Sequence, residues 1–430
     1  MKKYIIIPGC SDLNRGDQAL VWETKRLAEE AGFKGEYFLT SERNEPVEQS
    51  LAQGIKVVHP LLEHPSRKFK SKENITYTKT LKIKWGIVAL WDFLGSLFLL
   101  CKPTRFITKH LVNSEKKEII TLFENADAIF MKGGGLLQTY GGLSSTYSMY
   151  FWTFPILLAH ALKKPVYVMP NSFGPFEGPM VKLIAKKTLS KCRLVTSRET
   201  LSQEMVRKYL GLSVQNYADL AFMLPKSKMD DIHKKYNLPI DRKLVAITMR
   251  PYRFPGNHDP EKAYQSFKTE MANFIHWLYE RGMMPVIVEH TLAVNAHEND
   301  GACIKDVVSM IDKKEYCIIS DPNLNCYELK AIYGQCDYIV GTRFHSVIFS
   351  FGSTVPGIAI AYTGNKSQGI MHDIGLDDYV VGIEEVSAQL LIKKFESLQK
   401  EEGIIRKKIT AYREKASMDW KKLVEECKKK

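Results

Sequence analysis

Residues 336–350 read CDYIVGTRFHSVIFS. Cys336–Val340 is short, apolar and β-branched towards its end, which predicts a buried strand. Ser346–Phe351 is apolar and of helical length if its helix starts near Arg343 and ends at Gly352. Between them lies a glycine turn carrying Arg343 and His345. A strand that turns sharply into a helix is the unit of α/β proteins. Ligand sites form at such turns because free N–H groups and the helix dipole favour anions. Arg343 and His345 add donors to that corner.

Working outward, apolar runs of strand length recur, each ending in small or polar residues. Tyr4–Ile7 leads to PGCSDLNRGD, Ala128–Met131 to KGGG, Val166–Met169 to PNSFGP and Leu194–Thr196 to SRE. Further on, Leu244–Thr248 leads to MRPYR, Val286–Val288 to EH, Tyr338–Val340 to GTRFH and Gly357–Ile360 to AYTGNK. Helical stretches such as Leu20–Ala31 and Ala272–Tyr279 lie between them. Alternation of this kind predicts an α/β fold with parallel sheets covered on both faces. Two series, divided near Pro225–Asp241, predict two doubly wound, Rossmann-like domains facing a cleft, over residues 1–228 and 240–400. Residues 401–430 form a C-terminal helix, since Ile405, Ile409, Tyr412, Ala416, Trp420, Leu423 and Cys427 recur at three- and four-residue steps. No internal repeat or low-complexity stretch interrupts this pattern.

A chain of 430 residues suits two domains. With 45% hydrophobic and 25% charged residues it is globular. A net charge of +13 points to anionic partners, whether phosphorylated small molecules, acidic lipid surfaces or nucleic acid. Nucleic acid has the least support, for no RNA-binding aromatic signature and no zinc-type spacing is present. The eight cysteines show no CxxC pair, which suits free thiols in a reducing compartment. The start, MKKYIIIPG, falls far short of a signal-peptide apolar region and reads as a first strand. A cytoplasmic protein is expected.

The segment 81–112 stands apart. WGIVALWDFLGSLFLLC, residues 85–101, is nearly all apolar and is flanked by lysines. Crossing a bilayer takes ~20 apolar residues, and this run is shorter and contains Asp92. Three readings stay open: a core helix, a membrane-spanning helix, and an interfacial helix. In the last, Arg67, Lys68, Lys70, Lys72, Lys82 and Lys84 would reach acidic headgroups.

Taken together, NRGDQAL at 14–20, ADAIFMKGGG at 126–135, NSFGPF at 171–176, SRET at 197–200, YADLAF at 217–222, and GTRFHSVIFS with VPGIAIAYTGNK up to Lys366 resemble the polysaccharide pyruvyltransferase family. The pieces are in family order. The resemblance implies a GT-B-like architecture with the acceptor on the first domain and the donor, phosphoenolpyruvate, on the second. It implies transfer of the pyruvyl group onto two hydroxyls of a sugar as a ketal. That sugar would belong to a surface or exopolysaccharide, or to its lipid-linked precursor. One departure is Asn171-Ser172-Phe173-Gly174-Pro175, where the family pattern starts with glutamine.

That chemistry sorts the residues. A donor with a carboxylate and a phosphate needs fixed cations, and arginine bonds two oxygens at once. Arg343 is the first candidate, Arg250 the second and Lys366 the third. His345 is read as the proton donor to the donor's methylene, or else as a phosphate ligand; His290 is the alternative donor. Asp17 either accepts a proton from the sugar hydroxyl or caps the helix that follows. Asn14, Gly133, Gly134, Gly135, Asn171 and Ser172 complete the substrate-binding candidates, and Asp219 reads as structural. No metal and no cofactor beyond the donor are called for. Expected partners are phosphoenolpyruvate, a glycan or lipid-linked acceptor and a membrane surface, with the protein cytoplasmic and peripheral at the inner face of the cell membrane. The runner-up is a GT-B-type glycosyltransferase using a nucleotide sugar, with Glu289 on the ribose. A non-catalytic sugar-binding protein is disfavoured because binding needs no proton donor.

Overall fold

The structure, a computed structural model, describes the chain except for residues 42–44, 66–68, 70–78, 293–297, 363 and 430. In strand β1 (Lys3–Ile7), Tyr4 and Ile6 point into one core while Ile5 and Ile7 point into another, and all are buried. Successive side chains face opposite sides of a sheet, so this burial requires a layer on each face, as in parallel α/β sheets. Among the described residues the first sheet has eight strands: β1, β2 (Glu36–Thr40), β3 (Ile55–Val58), β4 (Ala128–Met131), β5 (Gly134–Tyr140), β6 (Val166–Glu177), β7 (Leu194–Ser197) and β8 (Gln215–Asn216). Their order is β3-β2-β1-β4-β6-β7-β8, with β5 alongside β6. The second sheet has six: β9 (Leu244–Thr248), β10 (Met284–Val288), β11 (Cys317–Ile319), β12 (Tyr338–Gly341), β13 (Gly357–Ala361) and β14 (Val380–Gly382), in the order β11-β10-β9-β12-β13-β14. Every pairing in both sheets is parallel.

Each sheet therefore reverses its direction of winding once, between β1 and β4 and between β9 and β12. At such switch points the loops leave on opposite faces and open a crevice at the carboxyl ends of the strands.

All eight apolar runs are strands. The Val166 run extends to Glu177 because β5 pairs with its polar second half. Six strands escaped the pattern, most of them edge strands or short, with too few apolar residues to register.

Helix α1 (Arg15–Glu30) begins before the expected Leu20 because Asn14 caps it, its Oδ1 accepting from the Asp17 N–H at 3.2 Å. Asp17 therefore lies inside the first turn and is not the cap. Next come α2 (Lys79–Leu100), α3 (Lys102–Leu111), α4 (Leu143–Ala161), α5 (Phe344–Phe351), α6 (Lys366–Ile374) and α7 (Glu402–Lys428).

Helix α2 overturns the core reading of the apolar segment. Of its window Ile83–Leu100 only 11% is buried. Leu94 is 42% and Leu97 40% exposed, so charges there would not unfold the domain. Arg67, Lys68, Lys70 and Lys72 lie outside the described residues.

Helix α7 is not a separate unit. Its first half is tied to the second domain, where Arg406 Nη1 donates to the Thr354 carbonyl at 2.6 Å. Its second half returns to the first domain: Asp419 accepts from the Ala218 N–H at 3.0 Å, and Trp420 Nε1 donates to Glu30 at 2.8 Å. The Arg26 guanidinium lies over the Trp420 ring at 4.0 Å. Trp420→Ala is expected to cost about 3–5 kcal/mol, read as a lower urea midpoint for the first domain. An unchanged midpoint would show that α7 does not hold that domain.

Candidate active site

The carboxyl ends of the two sheets face each other, and several contacts clamp the rims. Leu292 N–H donates to the Leu13 carbonyl at 3.0 Å, Arg15 Nη2 to the Pro322 carbonyl at 2.7 Å, and Asn365 Nδ2 to the carbonyls of Phe173 and Gly174 at 3.1 Å. Helices α1 and α5 meet head to head. A Cβ on Gly16 would fall 2.3 Å from His345 Nδ1, so only glycine lets them approach this closely.

At the first switch point Lys132, from the end of β4, donates to Asp17 Oδ1, while Asn14 Nδ2 donates to Oδ2 at 2.9 Å. Burial pushes the Asp17 pKa up, but Lys132, with help from His345 and Lys366, outweighs it and brings it to about 2. A carboxylate held this acidic is a weak proton acceptor at neutral pH, so the expectation that Asp17 takes the hydroxyl proton does not suit its surroundings.

A second network runs inward from His345. Its Nε2 is buried without a hydrogen-bond partner, 4.0 Å from Asp219 Oδ2. Asp219 is fully buried and accepts from Arg198 Nη1 at 2.7 Å; Arg198 Nε donates to Ser172 Oγ at 2.8 Å, and Ser172 donates to Glu199 at 3.0 Å. The remaining arm of Arg198, Nη2, is buried and unpartnered. Burial lowers the His345 pKa to about 4 despite Asp219, so the ring is neutral at pH 7. His290 is a core histidine: Nδ1 lies 3.0 Å from the Tyr333 hydroxyl, Phe349 packs beside it, and burial holds it well below the usual histidine range. Its Nε2, like that of His345, is buried without a hydrogen-bond partner.

At the second switch point Arg343 is already engaged. Its Nε and Nη2 donate to Asp300 Oδ1 at 2.8 and 2.7 Å, and Nη2 also donates to the Glu298 carbonyl at 2.8 Å. The fork expected to grip substrate instead ties down the segment after β10. The expected second and third cations are brought together by Tyr362, at the end of β13. The Arg250 guanidinium stacks over its ring at 4.2 Å, and Lys366 Nζ, from the start of α6, lies 3.3 Å from its hydroxyl. Burial alone would raise the Tyr362 pKa, yet Lys366, Arg250 and Arg343 bring it to about 7. Lys366 also acts electrostatically on Asp17 and His345, which places all these groups in one cleft.

The glycine turn keeps the cleft wall open. Gly134 has φ +147°, and a Cβ there would lie 3.8 Å from Lys132 Nζ and 3.9 Å from Asn171 Oδ1. One on Gly133 would press on the Pro170 carbonyl at 2.9 Å, and one on Gly135 would lie 3.4 Å from Arg198 Nη2. Asn171 is buried, with Nδ2 donating to the carbonyls of Lys132 and Met169 at 2.9 Å and Oδ1 unpartnered. Asn171 and Ser172 thus brace the wall. Glu289, proposed for a ribose, accepts from Ser320.

Lys132, Arg198, Tyr362 and Asp300 were not singled out from the sequence. The first three close or follow strands, a positional signal that was available; Asp300 follows no strand and becomes visible only through Arg343.

A family model described as polysaccharide pyruvyl transferase matches residues 14–364. The amylovoran biosynthesis protein AmsJ of Erwinia amylovora is 28% identical over 281 residues, 62% of this chain and 64% of that relative, so the match spans less than two thirds of its length. Three solved structures share the architecture. MnaA of S. aureus with UDP has a TM-score of 0.55 at 12% identity, covering 95% of this chain and 91% of that one. The UDP-GlcNAc 2-epimerase of Neisseria meningitidis bound to UDP-GlcNAc has a TM-score of 0.53 at 11% identity, covering 99% of each chain. UGT89C1 of Arabidopsis thaliana complexed with UDP has 0.54 at 10% identity, covering 99% of this chain and all of that one. These likenesses show the GT-B-like fold.

The Arg343–Asp300 pair gives a direct check. If Arg343 is a brace, Arg343→Met leaves Asp300 buried without its partner and should cost about 3–5 kcal/mol of stability, measured by chemical unfolding. A stable Arg343→Met protein that has lost only donor binding would return the fork to the substrate.

Proposed function

Since this chain belongs to the polysaccharide pyruvyl transferase family, we propose that it transfers the pyruvyl group of phosphoenolpyruvate onto two hydroxyls of a sugar, forming a ketal and releasing inorganic phosphate. The acceptor is a surface polysaccharide or exopolysaccharide, or its lipid-linked precursor. The observation that carries this reading is an unpartnered His345 Nε2 in a cleft shared with Lys132, Arg198, Arg250 and Lys366. Asp17, Asp219 and Asp300 pair with Lys132, Arg198 and Arg343, and Glu199 lies 3.7 Å from Arg198.

Burial keeps His345 neutral, and the donor changes that. A phosphoryl group brings negative charge next to the ring, which favours imidazolium and opposes the burial that now lowers its pKa. The acid is therefore loaded when the donor arrives.

His345 then protonates the methylene carbon. The π electrons of the double bond form the new C–H bond, and the central carbon becomes cation-like. One sugar hydroxyl adds to that carbon and loses its proton. The C–O bond to phosphate breaks with its electron pair on the phosphate, and the second hydroxyl adds to close the ketal. Of the two hydroxyl protons lost, one restores the acid and the other leaves with phosphate.

With its pKa near 7, Tyr362 suits acceptance of a hydroxyl proton better than Asp17 does. Lys132, Arg198 and Lys366 face the phosphate and carboxylate oxygens, where charge-assisted hydrogen bonds are strongest. A nucleotide-sugar donor gains no particular support, because the carboxylate assigned to the ribose is bonded to Ser320.

Proton linkage tests the loading of His345. Calorimetry of phosphoenolpyruvate binding near pH 6.5, in buffers of different ionisation enthalpy, is expected to show proton uptake approaching one per site. His345→Gln should abolish the uptake, keep donor affinity within about tenfold and cut turnover by ~10²-fold or more. Binding without proton uptake, or no binding at all, would contradict the mechanism.

A further inference from the structure

We propose that the hairpin of α2 and α3 is a membrane-docking face that lies in the headgroup layer of an anionic bilayer beside the cleft. This does not rest on pyruvyl transfer, because docking is read without donor or acceptor.

The apolar side chains form a stripe. Ile83, Ile87, Leu90, Trp91, Leu94 and Phe98 recur at helical steps along α2, and all are exposed, Trp91 by 70%. The stripe runs about 22 Å at 1.5 Å per residue. Helix α3 continues it with exposed Phe106 and Leu111. The opposite face of α2 is anchored: Ser96 Oγ lies 2.6 Å from the Tyr150 hydroxyl, the Phe93 ring packs edge-on to Tyr150 at 4.7 Å, and Leu99 is buried. A helix with one face docked and the other apolar in water lacks a partner.

Charge identifies that partner. Between Lys79 and Asn113 the sequence has five lysines and one arginine against the single carboxylate of Asp92, although Arg105 is buried on the Leu99 carbonyl and Lys109 pairs with Glu124. Asp92 is half-buried and acts on Tyr147, on the docked side. Lys84 and Lys102 are exposed near the two ends of the stripe. Cations bordering an apolar helical face fit acidic headgroups over acyl chains. A second copy of the chain would meet it with the same sign of charge.

Topology excludes a span. Strands β3 and β4 flank this hairpin in sequence and belong to the same sheet. One crossing by α2 would put them on opposite sides of the bilayer, and the ten residues of α3 are too few to return. The helix must lie along the surface.

Its placement bears on the cleft. Phe93 and Ser96 meet Tyr150, so α2 packs on α4. Helix α4 starts just beyond β5, the strand that extends from the glycine turn.

The test is co-sedimentation of the full chain with phosphatidylcholine vesicles and with phosphatidylglycerol-containing vesicles at low and high salt. Binding to the anionic vesicles at low salt is expected, weakening as salt rises. Leu90→Glu with Leu94→Glu should reduce it at least tenfold with an unchanged thermal midpoint, since both side chains are exposed. Lys84→Glu with Lys102→Glu should reduce it severalfold and keeps the test open if the first pair misfolds. No wild-type binding to anionic vesicles at low salt would overturn the proposal. So would a dimer that the Leu90/Leu94 pair abolishes without any vesicle binding, or resistance to alkaline carbonate extraction, which would signify a span.

Discussion

The structure turns on one constraint: cations at or just beyond the ends of buried strands must be held close together between two sheets. Lys132 and Arg198 approach from the first sheet, Arg250, Arg343 and Lys366 from the second. Like charges this close repel unless carboxylates intervene, and each carboxylate has a defined task. Asp17 takes Lys132, Asp219 takes Arg198, and Asp300 takes Arg343. These pairings fix the donors in place. Such preorganised donors lose nothing to reorganisation when an anion binds.

The same constraint sets the proton inventory. Where burial acts with little compensation, as at His345, the charged form is suppressed and the ring waits neutral. Where cations crowd a weak acid, as at Tyr362, the charged form is favoured. Both pKa values are thus lowered within one cleft, and the histidine loses its charge while the tyrosine comes within reach of the phenolate form. The arrangement depends on the strand ends alone and asks nothing of the exposed hairpin, which can serve a different purpose.

How much of this was legible in the sequence depended on what each residue's signal was. CDYIVGTRFHSVIFS announced strand, turn and helix because apolar period and glycine are local properties. The face of α7 from Ile405 to Cys427 was readable for the same reason, and its seven positions are all buried. The short edge strands β3, β8 and β14 were not, since their stability comes from neighbours in the sheet. Site residues followed the same division. His345, Lys366 and Arg250 stand at strand ends and could be chosen by position. The engagement of Arg343 by Asp300, 43 residues earlier, was out of reach, as was the acidity that Lys132 imposes on Asp17. Pairings between distant loops decide whether a charge is available to a ligand, and the linear spacing of residues does not record them.

The central claim is that His345 protonates a donor methylene while cations at the strand ends carry the phosphate. Running the reaction in deuterium oxide with phosphoenolpyruvate and a candidate acceptor glycan, and following it by phosphorus and proton nuclear magnetic resonance, addresses this most directly. The account predicts acceptor-dependent release of inorganic phosphate, one per ketal formed, with one deuterium in the new methyl group. Consumption of a nucleotide sugar under the same conditions, with phosphoenolpyruvate left intact, would contradict it.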